Sequence, residues 1–147
     1  SFDRYGPVRL GTPAVGGAAV CLVLSTFPGG SAARQWGMEA LEIPLRLKSE
    51  VMAVRGFGTT AIELAFVAAG WADGTYGTHA GPWDLAAGFL LVTEAGGTLS
   101  HAPLLGAVGG ENIWEIAGYA ASGPGRELGV LHRTLADLEV AAASRRA

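Results

Sequence analysis

Pro82-Trp83-Asp84-Leu85-Ala86-Ala87-Gly88-Phe89-Leu90-Leu91-Val92-Thr93-Glu94-Ala95-Gly96-Gly97 is the stretch from which the rest of the chain can be read. Both ends of a helix are written into it: Pro82 and Asp84 at the start, a mostly apolar run, then paired glycines able to form a left-handed C-terminal cap. Leu85, Ala86, Ala87, Phe89, Leu90, Leu91, Val92 and Ala95 cover nearly the whole circumference. That pattern predicts a helix over 84–95 buried inside a layered domain. The one early charge is Asp84, at the helix N-terminus. A carboxylate there either caps free backbone N–H groups or turns outward to a metal ion, and residue type alone favours the cap.

Immediately upstream, Val51–Arg55 reads as a short strand aimed at Gly56-Phe57-Gly58, and Thr60-Ala61-Ile62-Glu63 reads as a capping box opening a helix over 61–69, closed by Gly70. The N-terminus of that helix offers free N–H groups and the positive dipole end, which suits a phosphate. An ordinary capped helix is the simpler reading of the same residues. Trp71–Tyr76 is expected as a strand turning near Asp73-Gly74, with Gly77–Gly81 as a loop delivering the chain to Asp84. The single loop histidine, His79, could contact a phosphate but reads most simply as a solvated surface group. The order strand, glycine loop, helix therefore occurs twice in succession.

These pieces together resemble the inositol monophosphatase family. Trp83-Asp84-Leu85-Ala86-Ala87-Gly88 followed by Glu94-Ala95-Gly96-Gly97 is similar to its second signature. Gly58-Thr59-Thr60-Ala61, Val67-Ala68-Ala69-Gly70 and Ala72-Asp73 match, in order and approximate spacing, its Gly-Ser/Thr-Ala and Ala-Ala-Gly-x-x-Asp elements. The resemblance is specific from about Val51 to Gly97 and merely compatible outside that range. It implies that Asp84 is a ligand to Mg²⁺, that Gly58, Thr59 and Thr60 bind substrate, and that the substrate is a phosphorylated small molecule. It also implies an α/β fold, a layered sheet with helices on both faces, like the C-terminal half of that family's fold. Two departures stand out. Many members carry a carboxylate seven positions before the metal-binding Asp, where it meets substrate hydroxyls, whereas this chain has Gly77. The family's Asp-Pro-x-Asp-Gly-Thr motif and an upstream Glu are absent, and Asp3, Asp73, Glu94 and Asp137 match neither, so no catalytic residue is assigned.

Outside this centre the sequence supplies elements and little chemistry. Ser1–Leu10 reads as an extended edge piece, and Ala18–Ser25 as a strand apolar enough to be buried on both faces. A helix from Ala32 carrying Trp36, Met38 and Leu41 is expected to stop before Pro44, while 43–50 stays ambiguous. Thr98–Ser100 resumes a strand, and Trp114–Ala121 is expected as the last one. Ser122-Gly123-Pro124 is expected to start a terminal helix whose Leu128, Leu131, Leu135 and Leu138 form one apolar stripe, against the sheet or a partner. The expected organisation is an extended segment over 1–17, an α/β domain over 18–143 and a tail over 144–147.

A net charge of −3 with 16% charged residues argues against nucleic acid or an anionic membrane as the main partner. The apolar runs fall short of the roughly 20 residues a membrane helix needs. The lone Cys21 and the absence of a basic-then-apolar leader fit a cytoplasmic setting. The expected function is Mg²⁺-dependent hydrolysis of a sugar, inositol or nucleotide phosphate, with an N-terminal half supplied elsewhere and assembly as a homo-oligomer or with that half. The alternative is a short family member without activity that acts as a binding or scaffolding subunit.

Overall fold

The computed structural model describes residues 16–30, 32–104 and 118–145. Its five strands are β1 (Leu22–Leu24), β2 (Ala53–Arg55), β3 (Gly74–Gly77), β4 (Thr98–Ala102) and β5 (Gly118–Ser122). They form one sheet in the order β2-β1-β3-β5-β4. β1 runs parallel to β2 and β3, with Val23 opposite Val54 on one side and Gly74 on the other. β5 runs antiparallel to both β3 and β4. The helices are α1 (Ala32–Trp36), α2 (Glu42–Glu50), α3 (Thr60–Ala69), α4 (Pro82–Glu94) and α5 (Gly129–Ser144).

Successive strand residues point to opposite faces, and that alternation divides the core in two. Val23, Tyr76 and Ala120 face one way, where Trp36, Ile43, Leu47, Leu131, Leu135 and Leu138 cover them. Leu24, Tyr119 and Ala121 face the other way and meet Leu64, Val67, Leu85, Phe89 and Val92 of α3 and α4. The chain is thus the expected α/β sheet with helices on both faces. The leucine stripe of α5 packs against this sheet, with Leu131 and Leu138 fully buried. Among the described residues no helix is long and apolar enough to cross a membrane.

Several local expectations are corrected. Pro44 does not end a helix. The first helix stops at Trp36, Gly37 takes φ +76°, and α2 begins at Glu42 with Pro44 in its first turn, where a missing N–H leaves no bond broken. The strand expected over 71–76 covers Gly74–Gly77, so Gly77 belongs to the sheet and not to the loop. The terminal helix begins at Gly129, and Ser122 closes β5. Helix α4 is buried on one side only. Leu85, Gly88, Phe89 and Val92 face inward, while Trp83, Ala86, Ala87, Leu90 and Leu91 are exposed. The expected edge segment Ser1–Leu10 and the start of the last strand at Trp114 lie outside the described residues.

Candidate functional site

Strand order locates the site before any side chain is considered. β1 connects to its left-hand neighbour β2 through α1 and α2, whereas β3 sends the chain through α4 toward β4 and β5 on the other side. Adjacent parallel strands whose connections part in opposite directions leave a crevice at their carboxyl ends, where open α/β sheets bind ligands. A cavity of about 420 Å³ lies there. Thr26, Phe27 and Gly29 come from the turn after β1, and Gly77, Thr78 and His79 from the end of β3. Ala32, Gln35 and Trp36 of α1 and Thr60 of α3 complete the wall.

The wall is fixed from behind. The Phe27 N–H donates to Ser25 Oγ at 3.0 Å, and the buried Tyr76 hydroxyl donates to the Phe27 carbonyl at 3.2 Å. Phe27 and Trp36 pack edge to face with centroids 5.6 Å apart. One side of the cavity is therefore aromatic, and the other carries hydroxyl, amide and imidazole groups.

Helix α3 opens differently from the expected capping box. Its N-cap is Thr59, no side chain makes the cap bond, and Thr60 is the first helical residue. Glu63 has turned inward: Oε1 accepts the Phe57 N–H at 3.0 Å and Oε2 accepts the Thr75 hydroxyl at 3.4 Å. Burial raises the Glu63 carboxyl above its ordinary range, against the pull of these two hydrogen bonds. The carboxylate thus holds the glycine turn before α3 and leaves the first N–H groups of the helix without a side-chain cap. Gly58 in that turn takes φ +81°, a region that favours glycine. Of the three residues expected to bind substrate, Thr60 lines the cavity, while Gly58 and Thr59 precede it in the turn.

Asp84 sits in the first turn of α4, whose N-cap is Gly81. One carboxylate oxygen accepts the Gly81 N–H at 3.4 Å, a long bond that leaves the second oxygen for another partner. Both roles read for Asp84 from the sequence are compatible with this position. Among the described residues no three His, Cys, Asp or Glu side chains cluster as a metal site. Asp73, part of the matched motif, is committed elsewhere: it accepts the Leu22 N–H at 2.7 Å and pairs with Arg126 at 2.7 Å.

His79, whose place in the sequence allows a phosphate contact as well as a solvated position, lines the cavity while remaining exposed. One feature was not legible in the sequence. Tyr119 of β5 lies against Gly77. A Cβ built on Gly77 would meet the ring carbon Cε1 at 2.5 Å and the hydroxyl oxygen at 3.0 Å. Among the described residues the buried Tyr119 hydroxyl makes no hydrogen bond of good geometry, although the Thr60 and Thr75 hydroxyls lie near it. Burial pushes it up to about 12, a rise that those hydroxyls oppose and the Glu63 and Asp84 charges add to. No spacing rule links positions 77 and 119. Antiparallel pairing of β3 and β5 sets them opposite one another.

An open α/β sheet with a polar cavity at its switch point defines a class of ligand-binding and catalytic domains, and comparison with known proteins narrows it. The profile of the inositol monophosphatase family matches residues 18–139. The chain belongs to that family. It is 52% identical over 52 residues to an inositol-1-monophosphatase of Mesorhizobium japonicum, covering 35% of this chain and 20% of that protein. It is 38% identical over 92 residues to the Nus factor SuhB of Salmonella typhimurium, covering 63% and 33%. Among solved structures, the extragenic suppressor protein suhB of Bartonella henselae superposes with a TM-score of 0.65 at 28% identity, covering 88% of this chain and 45% of that one. Inositol monophosphatase II of Staphylococcus aureus shares the fold with a TM-score of 0.66 at 17% identity, covering 92% and 48%. The chain spans half or less of the length of the relatives it matches.

Proposed function

We propose that this chain carries the substrate-binding part of a Mg²⁺-dependent phosphomonoesterase acting on a small sugar, inositol or nucleotide phosphate, and that a second polypeptide or a second copy completes it. The observation that carries the reading is the cavity at the β1/β3 switch point, with the uncapped N-terminus of α3 in its wall through Thr60. A helix N-terminus presents N–H donors and a positive potential to a phosphate, and Asp84 stands at the start of the next helix. The aromatic side formed by Phe27 and Trp36 would take the alcohol part of the ester. Of the fold's solved members, SaIMPase-II is bound to inositol monophosphate in one structure and to 2′-AMP in another, which is the ligand range proposed for this chain.

Mg²⁺ polarises a phosphoryl group and generates a hydroxide nucleophile where it is bound. The described residues do not fit that ion by themselves: it needs a near-octahedral oxygen shell, and Asp84 is a single carboxylate. In the proposal Asp84 supplies one ligand and the completing polypeptide supplies the others. One observation supports completion: helix α4 turns an apolar stripe outward. A cytoplasmic setting belongs to the same proposal, supported by the lone buried Cys21.

Asp84→Asn tests the assignment, because Asn can still accept the Gly81 N–H but lacks the charge that Mg²⁺ needs. The expected result is an unchanged thermal transition with loss of Mg²⁺ binding in calorimetry and of hydrolysis in the completed assembly. Parallel loss of folding in the Asn and Ala variants would reduce Asp84 to a cap. Gly77 and the single carboxylate favour a second reading, a subunit that binds ligand without catalysis. An assembly that binds phosphate esters and never turns them over would select it.

A further inference from the structure

Among the described residues Glu63 is the one buried charged side chain: it is 1% exposed and belongs to none of the ion pairs. Its contacts place it behind the wall of the cavity. Oε1 accepts the Phe57 N–H, and the Phe57 ring packs on Phe66 of α3 with centroids 4.9 Å apart, so the glycine turn is held to the helix by backbone and side chain together. Oε2 accepts the fully buried Thr75 hydroxyl of β3. Thr60, which lines the cavity, precedes Glu63 by three positions on the same helix. Residues so spaced are neighbours on one face, about 5–6 Å apart at Cβ. A carboxylate withheld from water thus lies close to the N–H groups proposed to meet a phosphate.

We propose that Glu63 couples phosphate binding to proton uptake: a phosphate dianion at the open N-terminus of α3 draws a proton onto the Glu63 carboxyl, and loss of that proton as pH rises loosens the anion. The inference rests on the phosphate-ester reading given above and deepens it by naming how that site is regulated. A second negative charge nearby strengthens the carboxyl's hold on its proton, and burial already favours the neutral acid. Protonation leaves the turn in place. In the acid one oxygen still accepts the Phe57 N–H, and the other donates its O–H to the Thr75 hydroxyl oxygen. Of the other ionisable groups on the elements packed against α3, Tyr76 and Tyr119 are phenols pushed up to about 12 by burial and stay neutral. Asp84 stands in the first turn of α4, and Glu94 is exposed at its far end. His79 faces the cavity itself.

The test uses the 147-residue chain with 2′-AMP as probe, in parallel series with EDTA and with Mg²⁺. The ¹³C shift of the Glu63 carboxyl, followed through pH in the wild type, should show a midpoint that 2′-AMP raises by about one pH unit or more. An unmoved midpoint with 2′-AMP bound overturns the coupling, and this measurement needs no variant. Calorimetry in buffers of different ionisation enthalpy adds the proton count. The wild type should take up more protons per bound 2′-AMP than Glu63→Gln, and its affinity relative to that variant should fall about tenfold as pH rises through the two midpoints. Glu63→Gln keeps an acceptor for the Phe57 N–H, so a merely structural role would leave the two pH profiles parallel. Parallel profiles, or a proton difference that disappears in a His79→Gln background, overturn this inference alone. Absence of 2′-AMP binding to the wild type in both series overturns the phosphate-ester reading, and this inference with it.

Discussion

The helices on the two sides of the sheet meet it in the same way and meet the outside in opposite ways. On one side α2 and α5 bury Leu47, Leu131 and Leu138 and turn charge outward, with Arg46 paired to Asp137 at 3.1 Å and Arg133 to Glu50 at 2.6 Å. Exposed pairs of this kind contribute only about 0–1 kcal/mol each, but they mark a surface finished for water. Leu45 and Val140 are exposed there too, singly and among charges, as is ordinary on a protein surface. On the other side α4 carries two apolar stripes. Leu85, Gly88, Phe89 and Val92 pack inward, and Trp83, Ala86, Ala87, Leu90 and Leu91 repeat the same three-and-four spacing outward, with Trp83 81% exposed. Ile62 of α3 and Trp71 just after that helix are exposed as well. A helix apolar on both faces is suited to lie between two layers, and among the described residues one layer is present. The α2/α5 side is an exterior, and the α4 side has the composition of an interior.

The largest effect should come from the finished side. Leu138→Ala should cost about 2–5 kcal/mol in urea unfolding, because the side chain is fully buried between α5 and the sheet. A loss below about 1 kcal/mol would mean that this core is loosely packed. Next is the contact that brings α4 onto α3. A Cβ on Gly88 would run into the Leu64 side chain, so Gly88→Ala should overpack the interface and cost about 1–3 kcal/mol, with relief when Leu64 is shortened to Ala. Strict additivity of the two substitutions would contradict the close approach.

A smaller effect, confined to the α3/α4 side, should appear in pH dependence. Burial raises the Glu63 carboxyl above the ordinary 4.5. A carboxyl raised in the folded state contributes stability that is fully present below the unfolded value and is lost as pH rises through the folded value. The stability of Glu63→Gln relative to wild type should therefore improve as pH rises above 4.5. A flat difference, or one of opposite slope, would show that the Phe57 and Thr75 hydrogen bonds outweigh burial. The smallest effect on folding belongs to the outward stripe: Leu90→Ser should change stability by about 0.5 kcal/mol or less, since the side chain is 61% exposed.

What the sequence disclosed follows from what local rules can express. Helices α3 and α4 were legible because periodic apolar residues end at glycines that do take left-handed conformations, Gly70 at φ +76° and Gly96 at φ +83°. The break between α1 and α2 was not, because Pro44 stops a helix from its interior and fits one in its first turn, and the sequence does not say which applies. Thr60 and Glu63 satisfy the spacing of a capping box, yet the Phe57 N–H and the Thr75 hydroxyl, neither of them part of that box, claim the carboxylate. The missing carboxylate at Gly77 could be read directly. The Tyr119 side chain beside it could not, because the two positions meet only through β3–β5 pairing. The outer stripe of α4 was read correctly as apolar and wrongly as covered, since composition does not distinguish an apolar face that is buried from one that is exposed.

That last distinction is the centre of the account, and sedimentation velocity on the purified chain of verified intact mass tests it most directly. The predicted result is concentration-dependent self-association of the wild type, abolished in a Trp83→Ser, Leu90→Ser variant of unchanged circular dichroism, with no Mg²⁺-dependent hydrolysis of phosphate esters by the chain alone. A wild-type monomer that turns over inositol 1-phosphate at ordinary enzyme rates, on the order of 1 s⁻¹ or faster, would contradict it.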